Sequence, residues 1–236
     1  KAASAAKGLL RGRGMATYIE SILGAQNETA KIEFAEDGGI NLYVGTQSNG
    51  QGHETVYAQI LHQRSGLPYD KIRIVQGDSD LIAKGVGTGG LRSVTMQGNA
   101  INAASDEMVE RFRPLAEEEL ETAAADLVFE DGAFSVAGTD KSVAWGDVTL
   151  AAYVPHNYPL EEIEPGLEET AFYDPLNFTY PSGTHVAEVE IDPATGVVQL
   201  VDWACCDDFG NLINPMLAEG QVHGGVAQGL GQALCE

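Results

Sequence analysis

Apolar and polar positions alternate along Ala30–Gln47 in two short runs, Ile32 and Phe34, then Ile40, Leu42 and Val44. A period of two broken by Asp37-Gly38-Gly39 predicts a β-hairpin. The period then changes. In "HETVYAQILHQRSG" Val56, Ile60 and Leu61 recur at helical spacing, and Gly66 with Pro68 beyond it supplies the stop. "KIRIVQGD" reads as a short strand. A glycine-rich stretch, "GVGTGG" from Gly85 to Gly90, leads into a long helix with Ile101, Ala104, Met108 and Phe112 on one face. Pro114 is expected to interrupt that helix, with "LAEEELETAA" resuming as a second, more exposed one.

"DLVFEDGAFSVAG" predicts another hairpin, turning at Asp131 and Gly132. Between Ala151 and Pro181 the prolines, the acidic run "EEIEPGLEE" and scattered aromatics predict a long irregular connection over the surface. "HVAEVEIDPATGVVQLVDW" then alternates on both sides of an Asp-Pro-Ala-Thr-Gly turn, the strongest hairpin signal in the chain. "NPMLAEGQVHGGVAQGLGQAL" follows as a helix of small residues. Gly220-Gln221-Val222-His223 echoes Gly50-Gln51-Gly52-His53, each followed by Ala-Gln and preceded by a hairpin, which suggests a pseudo-duplicated hairpin-helix unit. The pattern predicts an α+β domain of mixed sheets with β-hairpins and packed helices. It leaves room for two lobes, about 1–150 and 151–236.

Composition narrows the function more than the fold. With 236 residues the chain can bury a substantial core, and no apolar run approaches the roughly 20 residues that cross a bilayer. The first residues lack the uninterrupted apolar core of a signal peptide, and Cys205, Cys206 and Cys235 are too few and too badly spaced for a disulfide framework. A reducing cytoplasm is the expected setting. Thirteen basic against 35 acidic residues give a net charge of −22, which repels nucleic acid and anionic membranes. An anionic ligand must therefore be held by aimed main-chain N–H groups rather than by bulk positive charge.

Asn49–His53, Gly87–Val94 and Gly220–His223 offer such groups, since glycine removes the Cβ that blocks close approach and glutamine both donates and accepts. Three anchors together favour an extended anionic cofactor over packing alone. Neither a G-x-x-x-x-G-K-[ST] nor a dinucleotide fingerprint in a βαβ unit is present. His53, His62, His156, His185 and His223 show no H-E-x-x-H spacing, there is no G-x-S-x-G nucleophile, and the acids of "EEIEPGLEE" read as solvated. Two alternatives stay open. One is a non-catalytic packing and subunit-interaction module. The other is a metallo-hydrolase dependent on His53 or His223.

"GTQSNGQGHETVYAQI", "GDSD" with "GVGTGGLRSVTMQGNAI", "FYDPLNFTYPSGTHVAEVEIDPATGVVQLV" and "DDFGNLINPMLAEGQVHGG" resemble the molybdenum-binding large subunit of the xanthine dehydrogenase and aldehyde oxidase family. The likeness is greatest to the aerobic carbon monoxide dehydrogenase-type branch and runs from about Gly8 onward. The resemblance implies a hydroxylase that uses molybdenum on a pterin, in bacteria usually molybdopterin cytosine dinucleotide, with water as the oxygen source. It also implies iron–sulfur and flavin (FAD) subunits that carry electrons away.

By the same resemblance Gly50, Gln51, Gly52 and His53 touch the pterin cofactor, Gly90, Leu91, Arg92, Ser93 and Val94 hold the phosphates and dinucleotide, and Gln221 lies on the pterin. No catalytic residue and no protein metal ligand is implied within the chain. The family's catalytic glutamate belongs to a Gly-x-Gly-Glu motif that these 236 residues do not contain, and Glu236 is not that residue. The substrate loop would precede Lys1, so Cys205 and Cys206 inherit nothing from it, and Phe209 stands where the family often has cysteine. The expectation is an excised piece of a longer subunit, catalytically silent by itself.

Overall fold

A computed structural model describes residues 1–22, 28–35, 37–152 and 168–236. Among these the elements run α1 (Ala2–Ala5), β1 (Leu10–Ile19), β2 (Glu28–Phe34), β3 (Ile40–Val44), α2 (His53–Ser65), β4 (Ile72–Val75), α3 (Gly98–Leu120), β5 (Leu127–Glu130), β6 (Ala133–Val136), β7 (Ser142–Ala144), α4 (Trp145–Ala152), β8 (Glu168–Tyr173), β9 (Ser182–Ile191), β10 (Val198–Asp208) and α5 (Pro215–Leu234). The chain is α+β, as the pattern predicts. Its two compact units interleave: one is Lys1–Ile22 with Phe178–Leu212, the other Leu23–Asn177 with Ile213–Glu236. A single division near residue 150 does not describe them, because β1 pairs with β9.

The first unit is a three-stranded antiparallel sheet in the order β1-β9-β10. The Asp192 carboxylate organises the β9–β10 turn, accepting from the Ala194 N–H and the Thr195 hydroxyl, while Gly196 takes φ +76°. On one face Arg11 and Arg13 pair with Glu188. Elsewhere in the sheet Asp207 accepts from the Tyr18 hydroxyl at 2.9 Å and lies 3.0 Å from His185 Nε2. Burial and the Asp207 charge push the Tyr18 pKa up to about 12.

The second unit is built on a mixed four-stranded sheet, β4-β3-β2-β8, in which only β3 and β4 run parallel. Ala30, Ile32, Phe34, Ile40, Leu42 and Val44 form its buried face, the alternation anticipated from the pattern, with Tyr57, Leu61 and the apolar stripe of α3 in the same core. A second small sheet, β5-β6-β7, brings Phe129 and Phe134 onto Trp145, which also stacks edge-on to Phe112 with ring centres 5.0 Å apart. The Trp145 indole donates to the Ser65 carbonyl at the end of α2.

Two expectations fail here. Pro114 does not interrupt α3, which runs unbroken from Gly98 to Leu120. Leu115, Ala116 and Leu120 prolong its buried stripe, and burying the two leucines contributes about 3–6 kcal/mol, enough to offset the roughly 3 kcal/mol that an interior proline costs. Nor is the stretch between Ala151 and Pro181 irregular throughout, because β8 lies within it and pairs antiparallel with β2. Glu168 and Glu169, the end of the acidic run, are strand residues engaged by Lys31 and Arg111. The rest of that run lies outside the described residues.

Candidate functional site

The loop after β3 and the loop before α3 are built against each other. At Gly45 an added Cβ would lie 2.0 Å from Glu28 Oε1 and 2.8 Å from the Gly85 Cα; at Gly85 it would lie 2.4 Å from the Gly45 carbonyl oxygen. The two backbones therefore touch where no side chain fits. The Gly87 N–H donates to the Gly45 carbonyl, and the Thr88 hydroxyl donates to the Gln47 carbonyl at 2.6 Å. Thr88 Oγ1 in turn accepts from the Ser93 hydroxyl. Gly45–Gln47, which lead into Asn49–His53, and Gly85–Thr88, which lead into Leu91–Val94, are thus held together although separate in sequence.

Beneath the loops lies a buried polar layer that the sequence reading missed. Arg92 and Glu28, with side chains 4% and 1% exposed, form an ion pair at 2.7 Å, and the same Arg92 nitrogen donates to the Gly87 carbonyl at 2.8 Å. Gln97, inside the π-helical turn Ser93–Gln97, accepts from the N–H groups of Gly45 and Thr46 and donates to the Thr29 carbonyl at 2.6 Å. Tyr57 bridges Thr46 and the Ser93 carbonyl from α2, and burial raises its phenolic pKa. Charged and amide side chains at full burial keep one geometry, because any departure leaves a desolvated group unpaired. These loops are accordingly held from below.

The loop that enters α2 is folded on itself. Ser48 donates its N–H to Gln76, Asn49 to the Gln51 side chain, and Gly50 to the Ser48 hydroxyl. Gly50 and Gly52 take φ +105° and +80°, values that favour glycine strongly. Gly52 is the N-cap, no side chain caps α2, and the first N–H groups of its first turn lack intrahelical acceptors. His53 follows, 2% exposed, stacked on Tyr57 at 4.8 Å, with neither ring nitrogen hydrogen-bonded. Burial lowers its pKa, opposed by the Glu54 charge and by the neighbouring Gln76 side chain.

On the second loop Gly90 and Leu91 both have positive φ, Leu91 and Val94 are exposed, and Ser93 sits at its base. Arg92 is the exception, since its guanidinium turns inward to Glu28. The second Gly-Gln differs from the first. Gly220–His223 lies inside α5, which begins at Pro215 and is capped by Asn214 Oδ1 accepting from the Leu217 N–H. The Asn-Pro signal sets the start, so the backbone donors of Gly220 and Gln221 fall within the helix rather than at its mouth. A hairpin precedes each helix, but only at α2 does the Gly-Gln stand ahead of the helix's first turn. The α5 first turn still abuts the site, because a Cβ on Gly52 would lie 2.8 Å from Leu217 Cδ1. Gln221 is four residues beyond Leu217, on the same face of the helix.

A cleft of about 670 Å³, lined by Gln59, His62, Arg64, Gly66 and Asp131 among others, lies along the C-terminal half of α2, at the far end of that helix from the glycine loops. Among the described residues no group of three or more His, Cys, Asp or Glu side chains converges as a metal site, so the metallo-hydrolase alternative finds no donor set there. No helix among them is long and apolar enough to cross a membrane.

The α+β scaffold with glycine loops beside a helix entrance is that of the cofactor domain in molybdenum hydroxylase large subunits. The chain belongs to the molybdopterin cofactor-binding domain family, whose model matches residues 1–236. It is 37% identical to the carbon monoxide dehydrogenase large chain of Hydrogenophaga pseudoflava, over 95% of this chain and 29% of that protein. It is 36% identical to the nicotine 6-hydroxylase large subunit of Paenarthrobacter nicotinovorans, over 89% of this chain and 26% of that one. Among solved structures, quinoline 2-oxidoreductase from Pseudomonas putida 86 superposes with a TM-score of 0.87 at 33% identity, covering 98% of this chain and 31% of that one. Carbon monoxide dehydrogenase from Oligotropha carboxidovorans gives a TM-score of 0.83 at 34% identity, over 95% and 30%. The chain thus spans less than a third of the length of these relatives.

Proposed function

We propose that the chain is the cofactor-gripping portion of the large subunit of a molybdenum hydroxylase, an oxidoreductase that hydroxylates carbon monoxide, an aldehyde or an N-heterocycle with water as oxygen source. The cofactor is molybdopterin cytosine dinucleotide, and iron–sulfur and FAD subunits in the cytoplasm complete the complex. When bound, the group supplies the redox chemistry of the hydroxylation.

The residues present fit such a group. His53 carries the reading: a ring 98% buried with two unpartnered nitrogens costs stability unless something polar meets it. Beside it, the uncapped mouth of α2 favours negative charge, which the net charge of −22 cannot supply a grip for by itself. Gly50, Gln51 and Gly52 let the cofactor approach main chain directly, and Gln221 reaches it from α5. Gly90, Leu91, Ser93 and Val94 line the second loop for the phosphates. Arg92 serves by fixing that loop through Glu28 and Gly87 rather than by meeting phosphate itself. The described residues would hold and orient the cofactor; no proton-transfer group is assigned among them.

The test is cofactor release. Full-length subunit from a molybdenum-replete host is denatured, and the supernatant is assayed for molybdenum and a cytosine nucleotide. Both are expected in stoichiometric amount. Finding neither favours the non-catalytic packing module.

A further inference from the structure

Glu54 is the second residue of α2 and follows His53 directly. A carboxylate in a helix's first turn is drawn to the helix's own unpaired N–H groups and competes with any anion that approaches them. Glu54 does not cap α2, however. Its Oε1 accepts a hydrogen bond from Nε2 of Gln76, the residue that follows β4, and the N-cap residue, Gly52, has no side chain to take its place. The Oε1 of the same Gln76 amide accepts the Ser48 N–H at 2.9 Å. One side chain therefore grips the polypeptide on both sides of the Gly50–Gly52 turn. The buried, unpartnered His53 ring lies between these grips in sequence.

We propose that Gln76 is a positioning residue of the cofactor site. Resting on the cofactor reading above, the inference is that Gln76 draws the Glu54 carboxylate away from the mouth of α2, leaving the first-turn N–H groups and His53 to an anionic group of the cofactor. A carboxamide suits this role, since it donates to a carboxylate and accepts from an N–H at once.

The experiment uses the full-length subunit in its complex, purified from a molybdenum-replete host as wild type, Q76E and Q76E/E54Q. Molybdenum and pterin nucleotide are measured per subunit, with thermal melting alongside. Q76E keeps the acceptor for Ser48 but sets two carboxylates together and returns Glu54 to the mouth; cofactor content should fall about tenfold. The reciprocal swap restores the pair with donor and acceptor exchanged, and content should return to within about twofold of wild type. Unchanged content in Q76E, or no recovery in the swap, overturns the proposal, as does a loss of content that merely follows melting temperature in both variants. Should Q76E not fold, Q76A carries the test: it should lose cofactor and regain it when E54Q is added, and no gain overturns the proposal. Wild-type subunit devoid of both molybdenum and pterin overturns the cofactor reading itself, and this inference with it.

Discussion

Changing Arg92 to methionine removes one half of an ion pair whose other half cannot reach water. Glu28 is 1% exposed, and its carboxylate takes a 2.7 Å hydrogen bond from Arg92 at the edge of β2. Stranding such a charge costs about 3–5 kcal/mol, against the 0–1 kcal/mol of an exposed pair. The Gly87 carbonyl loses the same donor. For a cooperative unit of this size the melting temperature should drop by on the order of 10 °C. The double variant R92M/E28Q removes the stranded charge and should recover at least half of that loss, because the neutral amide is cheaper to bury. Differential scanning calorimetry of the full-length subunit reads both values, and cofactor content reads the loop. A drop of less than about 2 °C for R92M would refute the view that this pair fastens the second glycine loop to the sheet.

Gly85→Ala places a Cβ 2.4 Å from the Gly45 carbonyl oxygen, so backbone must shift; a loss of about 1–3 kcal/mol and of cofactor is expected, whereas Gly89→Ala, which meets nothing within 4 Å, should be silent in melting. Pro114→Ala in α3 should raise stability by about 1–2 kcal/mol, the helix gain less the entropy returned to the unfolded chain, and urea unfolding checks it. Burial depresses the His53 pKa, so below about pH 6.5 the unfolded chain binds a proton that the folded chain refuses. The contribution of neutral His53 is fully present above that pH and is lost as pH falls. The melting-temperature gap between wild type and His53→Phe should therefore shift in favour of the variant on going from about pH 7.5 to 5.5, and a constant gap would contradict the buried neutral ring.

The local elements were legible because their causes are local. Asp37-Gly38-Gly39, Asp131-Gly132 and Asp192–Gly196 sit between alternating runs and dictate tight turns, and Gly66 in the left-handed region ends α2 as its neighbours demand. Where distant residues decide, the pattern misleads. Continuation of α3 through Pro114 rests on core space that only the sheet provides, and β8 exists because β2 offers an edge more than a hundred residues upstream. The glycine loops were legible as backbone features, since glycine density and a Gly-Gln helix entrance carry a local meaning. Their support was not. Glu28, Gln76 and Gln97 are ordinary polar residues in the sequence, and only the fold shows Gln97 and Glu28 buried under the loops. Arg92 inside a glycine loop invites a phosphate assignment until Glu28 is seen beside it.

The interleaved path of the chain has a consequence for synthesis. Strand β1 pairs from Leu10 with Ile191 to Ile19 with Ser182, so it leaves the ribosome roughly 170 residues ahead of its partner β9, on the order of ten seconds at cellular elongation rates. During that interval Met15 and Ile19 travel on an unzipped ribbon whose backbone donors and acceptors are open to any passing strand. Nascent-chain crosslinking from Met15 should accordingly capture chaperone until about residue 191 has emerged, and β9 afterwards.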